Sequence, residues 1–219
     1  MDEKLPPELL TGLSLLPEYV PVAFLTRHSI REEPQNGFAG YDVPLTAEGV
    51  DLAKWLGRAL DRPIHTFRTS PVGRCIDTAK ALAEGAGIPL DEVDASAQLV
   101  EPGSYVTHIE QVGGLFFKLG PLGFANKHLR NEVRGVKSPV QGTMEILEYL
   151  KADMGEPGSL SIHVTHDTIL AAFIYSLLAY DVLEESHWPQ MMEGAFVWFE
   201  DNTVNWVWRG QAGRRELPL

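Results

Sequence analysis

Short apolar runs and longer stretches of helical period take turns along this chain. The run 20-VPVAFLT-26 is apolar and β-branched-rich, the pattern of a strand buried on both faces. Thr46 is placed to cap a helix, with Leu52, Trp55, Leu56 and Leu60 recurring at helical spacing before Pro63 breaks it. The segment 64-IHTFRTS-70 reads as a second strand. Ser70-Pro71 then opens a helix running to about Glu84 and stopped by Gly85 and Gly87. Residues 141–152 have a helical pattern. A third strand, 160-LSIHVTH-166, leads into an apolar helix capped by Asp167. The tail 194-GAFVWFEDNTVNWVWRG-210 reads as two strands about a turn at residues 200–202, with Trp198, Trp206 and Trp208 alternating as packing residues.

This β-α-β-α order predicts an α/β fold. The expectation is a three-layer sandwich, a mostly parallel sheet with helices on both faces and a C-terminal antiparallel hairpin, in one domain over residues 1–219. Residues 98–140 show no clear period and hold Gly103, Gly113, Gly114, Gly120 and Gly123. They read as a loop-rich insertion able to act as a lid.

Composition narrows the function classes. A chain of 219 residues with 44% hydrophobic content suits one sizeable core. A net charge of −12 argues against a nucleic-acid or anionic-membrane surface, because the overall field repels phosphate polymers. Cys75 is the single cysteine, so no intrachain disulfide can form and a reducing, cytoplasmic setting is expected. The start MDEKLPPELLTG has no basic-then-apolar leader pattern, and 169-ILAAFIYSLLAY-180 is too short an apolar run to span a bilayer.

Against this acidic background, cations collect at strand ends, where parallel sheets bind their ligands. The first strand ends at Arg27-His28, with Arg31 close behind. The second ends at Ser70-Pro71, with Arg74 in the next helical turn. The third ends at His166-Asp167. Guanidinium forks match phosphate oxygens and stay charged, helix N-termini add N–H donors, and a neutral histidine is a nucleophile toward phosphorus. No H-E-x-x-H or C-x-x-C pattern is present, and arginines are poor company for a metal ion. No metal or cofactor is therefore expected, and the expected partner is a small phosphorylated molecule.

These residues carry a resemblance. The stretch 27-RHSIREEP-34 resembles the R-H-G-x-R-x-P signature of the histidine phosphatase superfamily, in its acid-phosphatase and phytase branch. 45-LTAEGVDLAKWLGRAL-60 is similar to that superfamily's L-T-x-x-G helix, 69-TSPVGRCIDTAKAL-82 to its S-P-x-x-R-x-x-x-T-A segment, and 163-HVTHDTILAAF-173 to its H-D-T. The passage 37-GFAGYDVPLT-46 looks instead like the phosphoglycerate mutase branch. The resemblance implies His28 as a nucleophile that becomes phosphohistidine. It implies Arg27, Arg31, Arg74 and His166 as ligands of the phosphoryl oxygens, and Asp167 as proton donor. Glu101, in 99-LVEPGSY-105, is the rival acid by likeness to the mutases. Ser29 stands where the family carries glycine, and its hydroxyl either adds a donor or crowds the pocket. The expected activity is a metal-independent phosphomonoester hydrolase. The alternatives are a phosphoglycerate-type mutase and a non-catalytic phosphate binder.

Overall fold

The computed structural model describes residues 5–34, 40–100 and 103–219. In chain order its main elements are α1 (Pro7–Leu13), β1 (Val22–Arg27), α2 (Ala47–Ala59), β2 (Ile64–Thr69), α3 (Gly73–Gly85), β3 (Asp94–Ala95), α4 (Ile109–Leu129), α5 (Pro139–Ala152), β4 (Leu160–Thr165), α6 (Asp167–Leu177), β5 (Gly194–Glu200), β6 (Thr203–Trp208) and β7 (Gln211–Glu216). The strands form one sheet in the order β3-β2-β4-β1-β5-β6-β7. β3, β2, β4 and β1 are mutually parallel, while β5, β6 and β7 run as an antiparallel meander from the edge of β1. The expected α/β sandwich is therefore present, and the predicted two-strand hairpin is extended by β7.

Two cores flank the sheet. On one face α2 and α3 set Leu52, Leu56, Ala79 and Leu82 against Phe24, Ile162 and Val164. On the other, α5 and α6 set Ile146, Leu150, Leu170 and Phe173 against Ala23, Leu25 and Val197. Alternate residues of β1 enter opposite cores, which is why the run Val22–Leu25 is apolar without a break. All three tryptophans of the tail are buried, Trp198 in the first core and Trp206 and Trp208 in the second.

One polar network interrupts the second core. His163 donates from Nε2 to Asp153 Oδ2 at 3.0 Å, and Asp153 also receives Nε and Nη2 of Arg68. Against its burial, these bonds from His163 and Arg68 hold the Asp153 carboxyl down at about 2. Asp153 thus ties β4, through His163, and β2, through Arg68, to the end of α5, and His163 has a structural part.

Residues 98–140 differ from their reading as loop. They contain the 21-residue α4, bent where Gly120 takes φ 68° and ψ 171°, with Pro121 beginning the second half. Glycine weakens helical propensity, and that hid the period. Packing of Val112 and Phe124 against Val106 and Val133 in a small separate core outweighs it.

Candidate active site

β1, β4 and β2 lie side by side, so their carboxyl ends meet. His28, immediately after β1, donates its N–H to the Thr165 carbonyl at 3.0 Å. Its side chain is nearly sealed, at 2% exposure. Nδ1 lies 2.8 Å from the Ser29 carbonyl. A carbonyl only accepts, so Nδ1 carries the proton and Nε2 keeps its lone pair. Arg74 Nε donates to that lone pair at 3.0 Å. Burial first, and then Arg27 and Arg74, push His28 down to about 3, against the pull of the Ser29 carbonyl. The imidazole is therefore neutral throughout the physiological range.

His166 follows β4 and takes the N-cap position of α6. Arg74 Nη2 donates to its Nδ1 at 3.2 Å, which leaves Nε2–H to donate to Ser70 Oγ at 2.8 Å. Burial and the Arg74 charge push it down to about 4. Arg74 also reaches the Gly40 carbonyl at 2.9 Å. It stands in the first turn of α3, a turn with no acidic residue. A cation is unfavourable there by the helix dipole, and an anion bound on it removes that conflict. α3 itself begins at Gly73, two residues beyond the predicted Ser70-Pro71 start, because Val72 donates its N–H to Ser70 Oγ before the helix forms.

Arg27 is buried at the rim of the same pocket. Nη1 donates to the Pro189 carbonyl at 2.6 Å and Nη2 pairs with Asp167 Oδ2 at 2.7 Å. Asp167 is the first residue of α6 rather than its cap, so its carboxylate lies where the helix dipole favours it. Oδ1 accepts the Thr168 N–H at 2.9 Å, and Oδ2 faces Trp188 Nε1 at 3.4 Å. Burial raises its affinity for a proton, but Arg27, His28 and His166 together outweigh that and hold the carboxyl below its usual range. Arg31 is half-buried at the entrance, where Nη1 donates to the Glu32 carbonyl at 2.9 Å, and its charge is felt by both Arg27 and Arg74.

The structure therefore gathers His28, His166, Asp167, Arg27, Arg31 and Arg74. Glu101 lies outside the described residues, as do residues 37–39 of the mutase-like passage. The chain leading to Glu101 is tied beside His166, since Thr165 Oγ1 donates to the Leu99 carbonyl at 2.8 Å. Ser29 corrects an expectation. Its hydroxyl donates to the Gly49 carbonyl at 2.7 Å and its N–H to Thr78 Oγ1 at 3.0 Å. The side chain fills a gap toward α2, and Ser29 serves the site through the carbonyl that orients His28.

The close approach of the Ile30 backbone explains the glycine of the L-T-x-x-G helix. A Cβ on Gly49 would fall 2.1 Å from the Ile30 carbonyl oxygen. Gly49→Ala must push α2 off the loop that carries His28, and strain of this size costs about 1–3 kcal/mol. The expected result is a lower midpoint in urea, with part of the catalytic rate lost by misplacement of His28. An unchanged midpoint would place the glycine's role elsewhere.

A further set of residues was not legible in the sequence. Residues 186–193 form a strap whose Pro189 carbonyl and Trp188 indole hold Arg27 and Asp167. Arg209 fixes the strap by pairing with buried Glu193 at 2.7 Å and donating to the Ser186 carbonyl at 2.8 Å. Nothing in the sequence linked Arg209 to the site, because only the return of β6 beside β5 brings it there.

Residues 23–101 match the family model of the histidine phosphatase superfamily (branch 1). Among curated proteins none matches the chain by sequence. Solved structures of similar fold include YhfR of Bacillus stearothermophilus, with a TM-score of 0.59 and 18% identity over 87% of this chain and 96% of that one. A phosphoserine phosphatase mutant of Entamoeba histolytica bound to phosphoserine gives 0.58 and 17% identity, over 88% and 94%. A mycobacterial glucosyl-3-phosphoglycerate phosphatase gives 0.55 and 18%, over 88% and 100%.

Proposed function

We propose that this chain, whose fold and residues 23–101 are those of the histidine phosphatase superfamily, hydrolyses small phosphomonoesters through a phosphohistidine on His28. One observation carries the reading: a buried, neutral imidazole presents its Nε2 lone pair between Arg27 and Arg74. A phosphate binder has no use for an oriented lone pair.

The steps follow from the geometry. An entering phosphoryl group takes over the Arg74 hydrogen bond from Nε2. It also gives a partner to Arg27 Nε, which is buried with none among the described residues; an open buried donor costs about 1–3 kcal/mol. Nε2 attacks phosphorus and the P–N bond forms as the bond to the ester oxygen breaks. Arg27, Arg31, Arg74 and His166 stabilise charge on the remaining oxygens. Asp167 gives a proton to the departing alkoxide. As carboxylate it then takes a proton from water, whose oxygen attacks phosphorus and breaks the P–N bond. Neutral His28 and inorganic phosphate result.

In the free site Asp167 is ionised, because Arg27 holds its charge. A bound phosphoryl anion shares the field of Arg27 and raises the proton affinity of Asp167. Binding thus creates the acid that the chemistry needs. We place the chain in a cytoplasmic setting on the single buried cysteine; among the described residues no helix is long and apolar enough to cross a membrane.

The deciding experiment measures phosphate release from a panel of phosphomonoesters with and without EDTA. Release that survives EDTA and is competitively inhibited by vanadate is expected. Isomerised product without free phosphate would assign the mutase reaction, and activity lost in EDTA and restored by a divalent metal would remove the metal-independent mechanism.

A further inference from the structure

The mechanism proposed above asks His166 to stabilise charge on a phosphoryl oxygen, which takes an N–H. In the free site His166 has none to give there. Its Nδ1 accepts from Arg74 Nη2 at 3.2 Å, and its proton sits on Nε2, which donates to Ser70 Oγ at 2.8 Å. Burial and the Arg74 charge push the ring down to about 4, so no second proton is present.

Nδ1 is the nitrogen that faces the phosphoryl position. Arg74 spans the two imidazoles, donating from Nε to His28 Nε2 at 3.0 Å and from Nη2 to His166 Nδ1. The rings meet edge to face, with centroids 5.6 Å apart. A phosphorus in line with His28 Nε2 therefore lies beside His166 Nδ1. Its oxygens draw Arg74 to themselves and leave a bare lone pair on Nδ1 facing them. Lone pairs repel, and the site would lack a donor where charge develops.

Ser70 removes the conflict. A hydroxyl donates as well as accepts and rotates to suit its partner. Ser70 is fully buried, and its Oγ sits on the far nitrogen of His166. Oγ also accepts the Val72 N–H at 3.2 Å, which anchors the oxygen at the start of α3 without using its proton. Cys75 Sγ approaches Nε2 at 3.6 Å, but a thiol is a weak donor and this one already points at the Thr165 carbonyl.

We propose that Ser70 is a positioning residue that switches the tautomer of His166 when a phosphoryl group binds. One proton leaves Nε2 for solvent, one arrives at Nδ1 from solvent, and the Ser70 hydroxyl turns to donate to Nε2. The ring stays neutral and Ser70 keeps its own proton. Nδ1–H then donates to a phosphoryl oxygen. This inference rests on the reading of the same site as a phosphoryl pocket.

Nitrogen NMR of protein isotope-labelled in its histidine rings tests it. A ring nitrogen that carries a proton resonates far upfield of one that holds a lone pair, and His166→Ala assigns the pair. In the free wild type Nδ1 should give the lone-pair signal and Nε2 the N–H signal. Saturating orthovanadate or inorganic phosphate should exchange them, and in Ser70→Ala the exchange should be lost. kcat/KM for p-nitrophenyl phosphate should fall by about 10²-fold in Ser70→Ala, the worth of one positioned donor. In a His166→Ala background the same substitution should change kcat/KM by less than about twofold, because Ser70 acts through His166. A second loss of equal size in that background would assign Ser70 to the placing of α3 and Arg74, and would overturn the proposal. A bound state in which His166 keeps its free signals, or shows two N–H nitrogens, overturns it as well. These signals are read in the wild type, so they decide even where Ser70→Ala does not fold. Exchange of the signals in a protein that releases phosphate from no ester keeps the switch and overturns the hydrolytic reading. Turnover without exchange does the reverse.

Discussion

Replacing His28 by alanine should lower phosphomonoester turnover by on the order of 10⁴-fold or more, because the route through a covalent intermediate disappears with the nucleophile. The fold should tolerate the change. His28 meets the core through its backbone bond to Thr165, which alanine keeps, and Arg74 retains His166 and Gly40 as partners. Circular dichroism and the urea midpoint should therefore stay close to wild type while activity falls. Rapid quenching of the wild type with labelled substrate should trap an adduct that is labile in acid and stable in base. None should form in His28→Ala. Because burial and two arginines hold His28 at about 3, its protonation adds no slope to adduct formation between pH 5 and 8. An adduct that persists in the variant would move the nucleophile elsewhere.

Asp167→Asn should cut adduct formation from an alkyl monoester by about 10²–10⁴-fold, the usual worth of general acid catalysis. An alkoxide leaves only with a proton, whereas p-nitrophenolate leaves unaided, so the burst with p-nitrophenyl phosphate should fall far less. Single-turnover bursts isolate this step, since loss of the later proton transfer from water slows steady-state turnover with both substrates. The sign of the pH effect follows from the ion pair with Arg27. With Asp167 already ionised in the free site, the productive complex contains one proton that enters with the substrate monoanion. In the wild type kcat/KM for the alkyl ester should therefore fall as pH rises through the second phosphate ionisation, near ~6. Asp167→Asn should flatten that limb. Equal losses for both leaving groups would reduce Asp167 to a shaping role. The same dependence appearing in Glu101→Gln would assign the acid to Glu101.

The sequence by itself determined β1, β2, β4 and the β5–β6 hairpin, the layers and the cationic strand ends, while β3 and β7 came only from the fold. β1, β2 and β4 stand within two residues of their predicted bounds; β1 is legible as a buried apolar run closed by charge, and β2 by Pro63 before it and Ser70-Pro71 after it. His28, Arg74 and His166 were legible for the same reason: charged groups at the end of a buried strand violate local pattern, and such violations mark sites. α4 was not legible, since its glycines mask a helix held by tertiary packing alone. Only the tertiary structure decided the tautomer of His166, the turning of Ser29 away from the pocket, and the ionised state of Asp167. Each depends on a partner distant in sequence: Arg74, Gly49, Arg27. The strap holding Trp188 and Pro189, tied by Arg209, belongs to the same class. Residue types predict which chemistry is available, but proton positions and pocket walls are set by the field and contacts of neighbours that only the fold brings together.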